Sequence, residues 1–195
     1  MHILRATDYR VMPWKNGGGT TTEIAVSPEG AALDDFDWRV SMARVEQDGP
    51  FSAFPGIDRT LSILEGEGVI LNVSDRIPFG LTKASEPLPF PADVPTRANL
   101  IAGPIVDLNV MSRRARMMHS VERMTIAGTV ELAIAAETML VFCHRGRVRA
   151  DGLETVVLDA LDALRIDRGG PALRLSADDR ATVFVILINA VGGND

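Results

Sequence analysis

The residues best suited to holding a small polar molecule lie in three short segments. The first is Met12-Pro13-Trp14-Lys15-Asn16-Gly17-Gly18-Gly19-Thr20, and Lys15 is one of only two lysines in the chain. An indole offers a stacking surface, an ammonium a point charge, and a side-chain amide both donates and accepts hydrogen bonds. Consecutive glycines give up backbone entropy, and their amides can form a nest for a carboxylate or phosphate. A flexible hairpin loop without a ligand explains the same composition. The second segment, Gly49 to Arg59, holds Phe51, Phe54, Asp58 and Arg59 among prolines and glycines. A guanidinium can grip a carboxylate through two parallel hydrogen bonds; a turn at Asp58-Arg59 with no ligand is the alternative. In the third, Asp107 and Asn109 stand two apart, so they share one face of a strand. Turned inward they suit a pocket, and Met111 continues that face; turned outward they meet water.

Other chemistries lack their residues. His2, His119 and His144 are dispersed. Cys143 and His144 are adjacent, and adjacent strand residues point to opposite faces, so they form neither a metal pair nor a nucleophile–base pair. We therefore expect no metal and no cofactor, and read Cys143 as a buried small hydrophobe. Neither a Walker loop nor a G-x-G-x-x-G motif is present. Thr20-Thr21-Thr22-Glu23 fits a helix-capping pattern, but β-branched threonines leading into Ile24-Ala25-Val26 favour a strand. No nucleophile–base–orienter set can be read, so no residue is assigned a catalytic role.

Period-2 patterning dominates the elements that must position these groups. Trp38, Val40 and Met42 alternate with Arg39, Ser41 and Ala43, which predicts a half-buried strand. Leu61–Leu64 and Val69–Leu71 flank Glu65-Gly66-Glu67-Gly68 as strand, tight turn, strand. Asp107–Met111, Met139–Phe142 and Val183–Ile188 read as further strands. The fold class is all-β, in the manner of a sandwich or barrel. Residues 153–164 fit either strands or an amphipathic helix. The proline-rich residues 75–99 predict an irregular connection with room for a short helix. Val141–Val148 echoes Leu61–Val69, each an apolar strand, a glycine turn and an apolar strand; chance similarity between two hairpins is the alternative.

At 195 residues with 46% hydrophobic and 24% charged content, the chain can build a core. A net charge of -6 argues against nucleic acid and anionic membranes as general partners. The single cysteine allows no intramolecular disulfide. No signal-like apolar region opens the sequence and the longest apolar run is too short to span a bilayer, so we expect a soluble cytoplasmic protein.

Taken together, Met12–Thr20, Glu23-Ile24, Gly49-Pro50-Phe51-Ser52, Phe54–Arg59, Leu64-Glu65-Gly66 and Asp107–Met111 resemble the HutD/Ves family. They keep that family's order over roughly the first 113 residues. The resemblance implies a bicupin, two cupin-like β-barrel halves in one compact chain, with approximate halves 1–113 and 114–195. It tips residues 153–164 away from a long helix. Cupins commonly bind metal through a His-x-His, a glutamate and a later histidine; Asp58–Ile63 stand in that region here, so the resemblance agrees with a metal-free scaffold. The family is associated with histidine utilisation, in a regulatory role sensing an intermediate such as N-formylglutamate. The reading that follows is a protein that binds a small carboxylate metabolite. Its candidate ligand-binding residues are Trp14, Lys15, Asn16, Gly17, Gly18, Glu23, Phe54, Asp58, Arg59, Asp107 and Asn109, with Lys15 and Arg59 neutralising the acid at one mouth of a barrel. A metal-independent enzyme using Lys15, Glu23 or Asp58 as acid or base is the alternative, as is an interaction subunit with the Trp14 loop as interface. Analogy with cupins implies a homodimer.

Overall fold

The structure, a computed structural model, describes residues 1–74, 76–167 and 172–192. In chain order the strands are β1 (His2–Leu4), β2 (Arg10–Pro13), β3 (Gly19–Ser27), β4 (Trp38–Val45), β5 (Gly49–Pro50), β6 (Ile57–Glu65), β7 (Val69–Val73), β8 (Phe79–Leu81) and β9 (Leu88–Pro91). They continue with β10 (Thr96–Leu100), β11 (Ile105–Arg113), β12 (Met117–Leu132), β13 (Thr138–Arg145), β14 (Val148–Asp151), β15 (Thr155–Leu158), β16 (Ala163–Asp167) and β17 (Leu173–Ala190). A single 3-10 turn, Ala6–Asp8, is the helical element among the described residues. The fold is mainly β, as the patterning predicts. No helix among the described residues is long and apolar enough to cross a membrane.

The chain divides into two compact units, Arg10–Met118 and Met1–Tyr9 with His119–Asp195. In the first, a six-stranded sheet of order β2-β3-β4-β11-β6-β9 accompanies a four-stranded sheet of order β5-β10-β7-β8. One face of each sheet supplies a shared core, with Leu61, Ile63 and Phe90 meeting Val69, Leu71, Val73, Leu81 and Ala98. The turn between β6 and β7 needs glycine. Gly66 has φ +88°, and a Cβ there would lie 2.6 Å from the Pro104 carbonyl oxygen.

Three expectations change on contact with this unit. First, β4 is not half-buried. Arg39, Ser41 and Ala43 are as buried as Trp38, Val40 and Met42, because the polar face of this strand turns toward the space between the sheets. Second, the proline-rich stretch is not irregular: it carries β8, β9 and β10, though Asp75 lies outside the described residues. The prolines are compatible with pairing because β9, which holds Pro89 and Pro91, is the outermost strand of its sheet, where a missing N–H is tolerated. Third, Arg59 does not sit at an open mouth but is 4% exposed.

The second unit is a sheet of order β1-β16-β13-β17-β14-β15, with β12 also paired to β17. Its core includes Met139, Val141, Cys143, Val148, Leu158, Leu164 and Val183. The β13–β14 hairpin repeats the β6–β7 solution, with Gly146 at φ +84° and a Cβ there only 2.9 Å from the Ala181 Cα. Residues 153–164 hold β15, a turn and the start of β16 rather than a helix. Leu161 takes φ +71° and its amide reaches the Cys143 carbonyl, which the regular helix would not allow. Cys143 is fully buried and burial pushes its thiol up to about 11. His144, on the opposite face, packs 6.0 Å from the Phe184 ring, and burial holds its pKa down to about 4, so it is neutral at pH 7.

Candidate functional site

Pairing in the six-stranded sheet of the Arg10–Met118 unit sorts the polar residues into rows. Residues directly opposite one another in antiparallel strands share a face. Val26, Arg39, Met111, Arg59 and Phe90 form one row. Glu23, Ser41, Asn109 and Leu61 form the next, and Thr21, Ala43, Asp107 and Ile63 the third. Leu61, Ile63 and Phe90 belong to the core, so all three rows face inward. An apolar barrel wall thus carries a compact inner patch of Glu23, Arg39, Ser41, Arg59, Asp107 and Asn109.

Within it, Arg39 Nε donates to Glu23 Oε2 at 2.7 Å, with both side chains largely buried. Asn109 Nδ2 donates to Asp107 Oδ1 at 2.5 Å. Arg59 is held differently. Its guanidinium carbon lies 5.0 Å from the Phe51 ring, 5.5 Å from Phe54 and 5.8 Å from Phe90. Three rings stabilise the cation through their negative faces while leaving its N–H groups open. Nη2 makes one long contact, 3.5 Å, to the Ser52 carbonyl. Arg59 Nε and Asp107 Oδ2 are buried with no hydrogen-bond partner among the described residues.

An orphaned donor and an orphaned acceptor in one interior are costly unless something else satisfies them. Burial pushes the Asp107 carboxyl up to about 7, a rise that the charge of Arg59 and the Asn109 amide only partly oppose. Burial likewise lowers Arg59, to about 10, so it stays charged at neutral pH. The patch does not suit a metal ion. Two guanidiniums, Arg39 and Arg59, face the same space, and among the described residues no three His, Cys, Asp or Glu side chains converge.

A second feature opens at the surface of the same unit. A depression of about 220 Å³ is lined by Trp14, Asn16, Gly18, Gln47, Asp48 and Phe51, among others. The glycine segment shapes it. Gly17 turns the chain at φ +69° with its amide on the Trp14 carbonyl. The Gly18 amide donates to Asn16 Oδ1 at 3.0 Å. A Cβ on Gly19 would collide with the Arg44 carbonyl, which is why that residue has no side chain. Trp14 Nε1 donates to Thr21 Oγ1 at 2.8 Å, fixing the indole as a wall.

The candidate residues therefore separate. Glu23, Arg59, Asp107 and Asn109 lie on the inner face, with Phe54 over Arg59. Trp14, Asn16 and Gly18 line the depression, and Gly17 makes its turn. Lys15 is exposed and outside that lining. Asp58 follows the alternation to the other face of β6, where Arg114 Nη2 holds it at 2.9 Å. The sequence reading missed Arg39 and Ser41, because their alternation with apolar residues looked like a solvent face. It also gave no role to Phe51, Phe90 or Gln47; Phe51 alone carried a signal, as a second aromatic in an unusual loop.

The fold and site define a cupin-like β protein with a polar, arginine-bearing interior. The family model for HutD matches residues 6–185, and the chain belongs to that family. A Pseudomonas putida protein, called an uncharacterized 21.2 kDa protein in the hutC 3' region, is 34% identical over 96% of this chain and 97% of its own length. Protein Ves of Citrobacter koseri is 37% identical over 72% of this chain and 69% of its own. Among solved structures, a conserved protein of unknown function from Pseudomonas aeruginosa PAO1 superposes with a TM-score of 0.91 at 33% identity, covering 96% of this chain and 98% of that one. HutD from Pseudomonas fluorescens SBW25, solved in a formate condition, gives 0.84 at 31% identity, covering 98% and 99%. Oxalate decarboxylase from Lactobacillus farciminis gives 0.72 at 8% identity over 97% and 86%, a likeness of fold.

Proposed function

We propose that this protein is a bicupin that binds a small carboxylate metabolite and acts as a regulator of histidine catabolism, sensing an intermediate such as N-formylglutamate. The observation that carries the reading is Arg59: a buried cation, caged by three rings, with an unsatisfied Nε on the same inner face as an unsatisfied Asp107 oxygen. A ligand carboxylate would accept from the guanidinium, and an N–H or O–H of the same ligand would satisfy Asp107. The hutC neighbourhood in the Pseudomonas putida relative's name supports the pathway. The repeated glycine hairpin in each unit supports two cupin-like halves.

The test is a thermal-shift panel of histidine, urocanate, formiminoglutamate, N-formylglutamate and glutamate. A compound at a hundred times its Kd adds about 2.7 kcal/mol, or about 5–10 °C in Tm for a chain of this size. Arg59→Lys keeps the charge but loses the planar fork, and should weaken binding roughly ten- to a hundredfold. A variant that folds and binds as wild type does would refute the reading.

One observation favours a second reading. A carboxyl near pH 7 in an interior is poised for general acid–base work. On that reading Asp107 is the acid or base of a metal-independent enzyme, and mass spectrometry of the panel compounds after incubation would show turnover that Asp107→Asn abolishes.

A further inference from the structure

Sheet edges in this chain are short, with one exception. The strands that end the three sheet orders are β1, β15, β5, β8, β2 and β9. Each runs two to four residues. Pro13, Pro50, Pro89 and Pro91 lie within three of them, each removing a backbone donor. Short strands and prolines are how a folded chain keeps an open edge from pairing with another chain.

β12 has neither protection. It is 16 residues long, holds no proline and pairs β17, and among the described residues no second strand pairs with it. Gly128, at φ +92°, is its one left-handed residue, so the run before it, Met117–Ala127, is an uninterrupted edge of about 35 Å. Its inner side chains are incompletely covered. Met124, Val130 and Leu132 pack on the core of their unit yet stay partly exposed, whereas β13, which also pairs β17, is buried from Thr138 to His144. Val121 is likewise half-buried, and Met118 is 57% exposed.

We propose that two copies of this chain join along their β12 edges, the strands pairing antiparallel about a two-fold axis at Val121 to make one continuous sheet. A second copy is the occupant because each chain offers one long edge among the described residues. An antiparallel pair uses both and leaves short edges alone, so the assembly closes at two. The edge is also compatible with itself. From His119 to Arg123 half-buried and exposed residues alternate without a break. A two-fold at Val121 sets Ser120 opposite the second copy's Glu122 and His119 opposite its Arg123, so no two carboxylates and no two guanidiniums meet. Centres at Glu122 or Arg123 would oppose like charges, which destabilises a strand pair.

Light scattering on the whole protein after gel filtration should give twice the 21.1 kDa chain mass. Adjacent strand residues turn their amides to opposite sides, so Ser120→Pro and Val121→Pro separate the two edges of β12. One of them removes a bond to β17; the other removes an outward donor alone and should keep the wild-type Tm. That second variant should raise the dimer Kd about a hundredfold. Ser120 is exposed, and its charge variants fold whatever the prolines do. Ser120→Glu faces Glu122 twice across the axis and should loosen the dimer; Ser120→Lys should tighten it, the two Kd values differing about tenfold at low salt. A wild-type mass of one chain, or of more than two, overturns the proposal. So does a folded outward-facing proline variant that stays dimeric, or a Ser120 pair with equal or reversed Kd values.

Discussion

Replacing Asp107 by asparagine should stabilise this protein, and by an amount that depends on pH. Asp107 is fully buried, and burial raises its carboxyl from 3.8 to about 7 despite Arg59 nearby. Well below 3.8 the group is protonated both folded and unfolded, and contributes nothing to the balance. As pH rises, the unfolded chain ionises first, near 3.8, while the folded chain resists until about 7. Stability is therefore lost between about pH 4 and 7, and stays low above that. The gap, at about 1.36 kcal/mol per pH unit, comes to about 4 kcal/mol. Asparagine has nearly the shape of the protonated acid and keeps an oxygen for Asn109 to donate to. Asp107→Asn should exceed wild type by less than about 1 kcal/mol at pH 4 and by about 4 kcal/mol at pH 8, or about 8–16 °C in Tm. Urea denaturation of both proteins at pH 4, 5.5 and 8 reads the difference directly. A gain that is flat across pH, or a loss at pH 8, would show that Asp107 is ionised at little cost and that its unpartnered oxygen is not the burden described. The same substitution should weaken any ligand that donates to Oδ2, the stability–function conflict expected of a site built for something other than stability.

Two further outcomes bear on the framework. Gly19→Ala must move the Arg44 carbonyl and should cost about 1–3 kcal/mol. Gly17→Ala has open space and only its φ of +69° to overcome, so urea midpoints should show a smaller cost of about 1 kcal/mol. In the other unit, Asp162 accepts from Arg5 at 2.6 Å, the Ala6 amide at 2.9 Å and the Asp159 amide at 3.1 Å. Burial opposes its ionisation, but the Ala6 amide, Arg5 and the Asp159 amide more than offset it and hold the carboxyl below its ordinary value. Its stabilisation is present at neutral pH and lost as pH falls through that lowered pKa. Asp162→Ala should thus cost about 2–4 kcal/mol at pH 7, and the cost should shrink as pH falls below the ordinary carboxylate range, measured by denaturation across that range.

The fold was legible where side-chain alternation and glycine turns were strong. β11 follows from alternation, the β6–β7 hairpin from apolar segments about a glycine turn, and β13 and the Val183–Ile188 part of β17 from continuous apolar runs that suit buried strands. The proline-rich stretch was not legible, because proline signals loss of a donor and the sequence cannot say that a strand lies at a sheet edge, where that loss costs nothing. Residues 153–164 resisted because a two-strand turn and an amphipathic helix can share one apolar spacing; only the left-handed Leu161 decides, and its conformation is not visible in its type.

The site divides along the same line. Arg59, Asp107 and Asn109 could be singled out, since charged and amide residues amid strong strands need a reason. Their partnership could not, because it depends on register. Met111 opposite Arg59 and Leu61 opposite Asn109 place two strands so that side chains far apart in sequence share one inner face. Asp58 shows the converse: next to Arg59 in the chain, it is carried by the same alternation to the outside. The polar face of β4 was misread for a related reason. Alternation reports that two faces differ, and normally the polar one meets water. Here Arg39 and Ser41 point into a barrel whose opposite sheet is apolar. A folded chain tolerates buried guanidiniums and a buried carboxyl only where each is satisfied or where something else completes it. Glu23 completes Arg39, and Asn109 half-completes Asp107. Arg59 is left with rings on its faces and an open Nε, so it is where the chain departs furthest from what folding alone would select.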